Sequence, residues 1–245
     1  MNLARDGFVQ FGYDPKLAAW ARAALDATMG IATDPVLQQD NLRHGRTWFV
    51  GVDMLPNAPD GSVNGVPLAG PWQSHVPELA LHKAQLSIIY PGYPQQDADE
   101  SDANHRYRIA RGAAHVDGLL PIGPTRRRFA QEFHAYILGI PLNDCAAAPT
   151  LVWPGSHKVV GPALREVIAD AAPSSVDLTE TYHAARRDVF ASSEPIALTA
   201  KPGECFLIHR HALHGTAPWG DASPVSEGRM IAFLRPEFAN PSDWL

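Results

Sequence analysis

The chain has 245 residues, 26 acidic and 20 basic side chains (net charge −6), 45% hydrophobic and 19% charged residues, and 2 Cys against 11 His. This balance excludes a disordered chain and the basic face of a nucleic-acid binder. No apolar run approaches the ~20 residues of a membrane span, residues 1–15 lack a signal-peptide core, and two cysteines make no disulfide framework, leaving a cytoplasmic protein of one domain over residues 1–245.

Asp14-Pro15 supplies an N-cap and a proline at the first helical position. Leu17, Trp20, Ala21, Ala24, Leu25 and Met29 then recur at helical spacing, with Gly30 as the expected stop. Asp34-Pro35 opens a second helix ending near Gly45, so residues 1–46 read as a helical N-terminal part. Strands are expected at 47–55, 80–90, 108–117, 133–142 and 150–153. Residues 56–78 form a long Pro- and Gly-dense loop, a natural lid over a site, and 95–104 an acidic loop. Two helices, at 157–172 and 177–191, make a helical insertion over 157–192. Strands return at 195–201, 205–209 and 229–235. The 19 Gly and 22 Pro concentrate between short apolar runs, as in an antiparallel double sheet with many turns.

His115-Val116-Asp117 places an imidazole and a carboxylate two residues apart, hence on one face of an extended segment. The preceding Gly112-Ala113-Ala114 leaves room beside it. About a hundred residues later an apolar strand runs into His209, His211 and His214. A third ligand from there completes two His and one carboxylate, a donor set with open positions that suits non-haem Fe(II). Three close histidines also suit zinc, although no Cys accompanies them at ligand spacing. Arg229 opens the apolar strand Met230-Ile231-Ala232-Phe233-Leu234 and needs an anionic partner. Its planar fork matches the carboxylate of a dicarboxylate. Arg126-Arg127-Arg128 reads as a solvated basic run, with contact to an anionic substrate as the other reading. Cys145 and Cys205 read as ordinary thiols.

The order His115-Val116-Asp117, Thr150-Leu151-Val152-Trp153-Pro154-Gly155-Ser156-His157-Lys158, Ala212-Leu213-His214-Gly215-Thr216-Ala217-Pro218 and Arg229 resembles the phytanoyl-CoA dioxygenase-like family of Fe(II)- and 2-oxoglutarate-dependent oxygenases, over about residues 80–236. The resemblance implies a mainly β double-stranded β-helix, a cupin-like jelly roll, with flanking α-helices. It implies His115, Asp117 and His214 as iron ligands, His211 being the next choice for the third. Arg229 would bind the distal carboxylate of 2-oxoglutarate, with Arg235 as its substitute because the spacing from His214 is long and 219–228 resembles an inserted turn. Gln85 and Tyr90, on the strand before Pro91-Gly92, are further cosubstrate candidates, and Trp153 is either pocket lining or core. Ser156 would cap the next helix, with His157 a turn residue. Related halogenating proteins have a small residue where Asp117 stands, which favours hydroxylation.

The expected reaction takes a small-molecule substrate and O₂ and releases succinate and CO₂. A non-catalytic jelly-roll binding or sensor protein, and a cupin metalloenzyme without 2-oxoglutarate, are the alternative readings. The loops 56–78, 93–107 and 118–130 are expected to shape the substrate pocket.

Overall fold

Two-residue alternation along the strands, with one helical layer behind each sheet, generates the architecture. The computed structural model describes residues 1–220 and 226–245. The helices are α1 (Leu3–Asp6), α2 (Pro15–Thr33), α3 (Pro35–Asn41), α4 (Asp102–Arg111), α5 (His157–Ile168) and α6 (Thr179–Ser192). The strands are β1 (Phe8–Phe11), β2 (Leu42–Arg43), β3 (Trp48–Gly51), β4 (Gln85–Ile89), β5 (Leu119–Ile122), β6 (Arg127–Ala130), β7 (Tyr136–Pro141), β8 (Thr150–Val152), β9 (Ile196–Leu198), β10 (Cys205–His209), β11 (His214–Thr216) and β12 (Arg229–Leu234). A seven-stranded antiparallel sheet has the order β1-β10-β7-β12-β4-β3-β2, and a three-stranded sheet the order β11-β8-β9. This is the double-stranded β-helix with flanking helices that the resemblance implies. The pair β5-β6 forms a separate hairpin. Among the described residues no helix is long and apolar enough to cross a membrane.

The central strands of the large sheet bury both faces. Leu86, Ile88, Leu138, Leu207 and Met230 pack on one side of the large sheet with Leu17 and Trp20 of α2. The residues between them in sequence, Ile137, Phe206, Ile208 and Ile231, meet Val152 of the small sheet. Trp153, Val160, Leu164, Tyr182 and Val189 form a third cluster beneath α5 and α6. The side chains between the sheets include Arg229, Phe233, Gln85, Ser87 and Thr150, by the same alternation.

Several expectations are corrected. Asp14 caps α2 through Lys16 and Leu17, but the helix continues past Gly30 to Thr33, because Asp34 is the next available stop and start. The expected strand over 108–117 is absent: 108–111 are the last turn of α4, and 112–117 are irregular apart from a bridge at His115. Ser101 accepts a hydrogen bond from the Asn104 amide, and Gly112 ends the helix in the left-handed conformation, signals that outweigh the apolar residues between. Residues 56–78 are not a lid. Val63, Leu68 and Trp72 are buried in the α2 cluster, and Trp20 Nε1 donates to the Gly61 carbonyl at 2.7 Å. Of the expected inserted turn at 219–228, residues 221–225 lie outside the described part.

Trp20 has no exposed surface and holds the only hydrogen bond recorded to the Gly61 carbonyl among the described residues. Trp20→Ala is therefore expected to lower the unfolding free energy by about 3–5 kcal/mol, read from urea denaturation. A loss below about 1 kcal/mol would show that this loop does not depend on the contact.

Candidate metal centre and cosubstrate pocket

Backbone hydrogen bonds set the two histidines side by side. His115 N donates to the His214 carbonyl at 2.8 Å, and His214 N to the His115 carbonyl at 3.0 Å. Gly215 permits this approach, since a Cβ there would strike the Gly112 carbonyl oxygen. The imidazole centroids lie 4.6 Å apart. Each ring is oriented by its own backbone: His115 Nδ1 is 3.0 Å from the Ala113 oxygen, and His214 Nδ1 is 3.0 Å from the Ala212 oxygen. A carbonyl only accepts, so both Nδ1 atoms carry the proton and both Nε2 lone pairs are left for a ligand.

Asp117 completes the group. Its Oδ1 lies 3.1 Å from His115 Nε2 and 3.5 Å from His214 Nε2, and one ligand atom from each residue falls within 4.8 Å of the others. The second oxygen, Oδ2, accepts from Arg235 Nη1 at 3.1 Å, which leaves Oδ1 directed at the histidines. Burial opposes the carboxylate charge, but the Arg235 guanidinium outweighs it and holds Asp117 well below the ordinary range. Val116 turns the other way into the α5–α6 cluster, so the expected His and Asp face is present on an irregular segment rather than a strand.

His209 and His211 lie apart from this group. His209 packs against His157 with centroids 4.7 Å apart, and His211 against the edge of Trp244 at 4.5 Å. Burial and neighbouring cationic groups hold both histidines below their usual range. Ser156 makes no side-chain cap to α5. Its Oγ donates to the Trp153 carbonyl at 2.6 Å and accepts from the Leu213 amide at 2.9 Å, tying the Pro154-Gly155-Ser156 turn to the residue before His214. His157 Nε2 is 3.0 Å from the Ala4 carbonyl oxygen.

A cavity of about 200 Å³ between the sheets touches His115, Asp117 and His214 and reaches Thr150, Gln85 and Phe233. At Thr150, Oγ1 lies 3.5 Å from Nη1 of Arg229. Arg229 is 3% exposed, and its Nε and Nη2 have no hydrogen-bond partner among the described residues. Burial pushes its pKa down to about 10, which leaves it cationic at neutral pH. A buried cation without an anion is costly, and two unpaired N–H groups offer a carboxylate its complement.

Gln85 faces this cavity, where its Oε1 accepts from Arg235 Nη2. Arg235 is thus committed to Asp117 and Gln85. Tyr90 lies outside the cavity and packs with Leu86 and Ile88 on the α2 side, because five residues from Gln85 reverse the face. Trp153 is fully buried against Phe190 and belongs to the helical core, since alternation sends Thr150 and Val152 inward and Trp153 outward. Thr150, the tie from Ser156 to Leu213 and the pairing of Arg235 with Asp117 were not anticipated. For Thr150 the signal is its inward parity with Val152.

Residues 110–220 match the family profile described as Phytanoyl-CoA dioxygenase (PhyH). No curated protein matches the chain. Among solved structures, EctD from S. alaskensis with 2-oxoglutarate and 5-hydroxyectoine is 17% identical, with 97% of this chain and 74% of that chain covered and a TM-score of 0.50. The same protein with bound Fe is 15% identical, covers 97% and 75%, and has a TM-score of 0.51. EvdMO1 is 14% identical with a TM-score of 0.53, and this chain spans about half its length (97% and 49% covered). At these identities the likeness is one of fold.

Asp117→Asn keeps the shape of the side chain and removes its charge. Mn(II) affinity, followed by electron paramagnetic resonance, is expected to fall more than about 100-fold, the upper end of what losing an outer partner does. Unchanged affinity would place the metal elsewhere.

Proposed function

Taking the chain as phytanoyl-CoA dioxygenase-like over residues 110–220, we propose that it is a non-haem Fe(II)- and 2-oxoglutarate-dependent dioxygenase that hydroxylates a small molecule. The observation that carries this reading is the pairing of a two-histidine, one-carboxylate cluster with a cavity leading toward a buried, unpartnered arginine. Zinc alone would account for the first and not for the second.

His115 Nε2, His214 Nε2 and Asp117 Oδ1 would hold the iron, with both rings fixed by their Nδ1–H bonds to backbone. Arg229 and Thr150 would take the distal carboxylate of 2-oxoglutarate, the guanidinium through its unpaired Nε and Nη2. Arg235 would keep Asp117 ionised and single-oxygen in its ligation, while Gln85 holds the other arm of the Arg235 fork. Bound there, iron and 2-oxoglutarate supply the oxidation, in which decarboxylation to succinate and CO₂ is coupled to placing one oxygen atom of O₂ in a substrate C–H bond. Ile137 and Phe233 would give the site apolar walls there.

The test is an anaerobic absorbance titration of the full chain with Fe(II) and then 2-oxoglutarate, followed by admission of O₂ and assay of succinate. A visible band that requires both components, and succinate that requires Fe(II), are the expected results. A metal that binds without any response to 2-oxoglutarate would instead indicate a cupin metalloenzyme of another kind. The absence of both responses would indicate a binding protein.

A further inference from the structure

Beside the metal cluster lies a larger cavity of about 460 Å³, which shares His115, Asp117 and Arg235 with the inter-sheet cavity and is otherwise walled by α4, the β5-β6 hairpin and α6. Its cationic residues differ in their partners. Arg108 is neutralised by Glu100, whose Oε1 accepts from Nε at 3.2 Å and Nη2 at 3.1 Å, and Arg235 by Asp117. Arg126, Arg128 and Arg186 also line the cavity, and none has a carboxylate partner among the described residues. Glu132, on the same wall, is committed to His134 Nε2 at 3.0 Å.

The neighbouring Arg127 provides an internal comparison. It is absent from the cavity wall and meets Asp177 at 2.6 Å and Glu180 at 3.0 Å. The chain therefore supplies acids for the arginine outside the cavity and none for the two that flank it in sequence. Arg128 is held by Nη1 donating to the Leu119 carbonyl at 3.0 Å. Arg186 lies over the rings of Tyr107 and Tyr182, 4.9 and 5.3 Å from their centroids. Both guanidiniums are positioned by neutral groups, so their charge is not cancelled. Burial lowers the Arg128 pKa, and its neighbours Arg126 and Arg186 lower it further, as expected for like charges facing one space.

We propose that this cavity is the substrate chamber and that Arg128 and Arg186, with the exposed Arg126 beside them, bind an anionic group of the substrate, a carboxylate or a phosphate monoester. This rests on the dioxygenase reading only in calling the ligand a substrate. The anion would sit beside the metal cluster. The substrates of this protein are then small organic anions.

The test is calorimetric titration of the full chain with phenyl phosphate, benzoate and the neutral benzyl alcohol, with excess 2-oxoglutarate present to fill the Arg229 site. Either anion is expected to bind while benzyl alcohol does not, and the tighter anion identifies the preferred group. Arg128→Gln and Arg186→Gln are each expected to weaken it about tenfold, as for loss of a charged hydrogen bond, with Arg128→Lys restoring part of the loss. An unchanged circular dichroism spectrum and melting temperature establish that the variants fold. Equal binding of benzyl alcohol, loss of the anion site when 2-oxoglutarate is added, or unaltered affinity in both Gln variants would each overturn the proposal. No turnover is read, so a protein inactive on 2-oxoglutarate still gives a decisive result.

Discussion

A guanidinium buried between two sheets, with one long hydrogen bond to Thr150 and two unpaired edges, is the constraint around which the interior is arranged. The residues around it include Pro141, Pro149, Leu198 and Ile231, none of which offers it a carboxylate. Arg229 occupies this position because β12 alternates strictly, sending Met230, Ala232 and Leu234 into the α2 cluster and leaving the odd-numbered residues for the cavity side. A surface arginine would cost the fold nothing. One here is tolerable in a stable protein when an anion joins it, so the cavity, the strand register and the cosubstrate reading stand together.

The other end of that cavity is organised by backbone rather than by side-chain packing. The two histidine rings are fixed by carbonyls two residues before each, and the mutual amide bonds of His115 and His214 set their separation. Ser156 anchors Leu213, and Gly215 lets the segment 112–115 approach. Arg235 occupies one oxygen of Asp117 and turns the other toward the rings. Backbone and side-chain bonds of this kind fix the direction of each donor atom.

Much of this was legible in residue order, and the errors share a cause. The jelly roll and the gathering of His115, Asp117 and His214 followed from motif order. The placing of 108–117 on a strand did not survive, because the Ser101 cap and the Gly112 stop govern that stretch more strongly than its few apolar residues. Tyr90, and the pocket reading of Trp153, failed on parity. Gln85 and Tyr90 are an odd number of residues apart, as are Thr150 and Trp153, and in an extended chain such pairs face opposite ways. The loop over 56–78 carries Val63, Leu68 and Trp72, apolar residues that the Gly and Pro count obscured. The pairing of Arg235 with Asp117 and the sorting of arginines into paired and unpaired sets depend on contacts across fifty positions or more, which no local pattern encodes.

The central claim is that Arg229 recognises the distal carboxylate of the cosubstrate. It is tested most directly by comparing 2-oxoglutarate with 2-oxobutyrate, which keeps the oxoacid end and lacks that carboxylate, in anaerobic titrations of the Fe(II)-loaded protein and of Arg229→Gln. The account predicts that the protein prefers 2-oxoglutarate by about a hundredfold or more and that this preference collapses in the variant. Equal affinity for the two oxoacids, or a preference that survives the loss of the guanidinium, would contradict it.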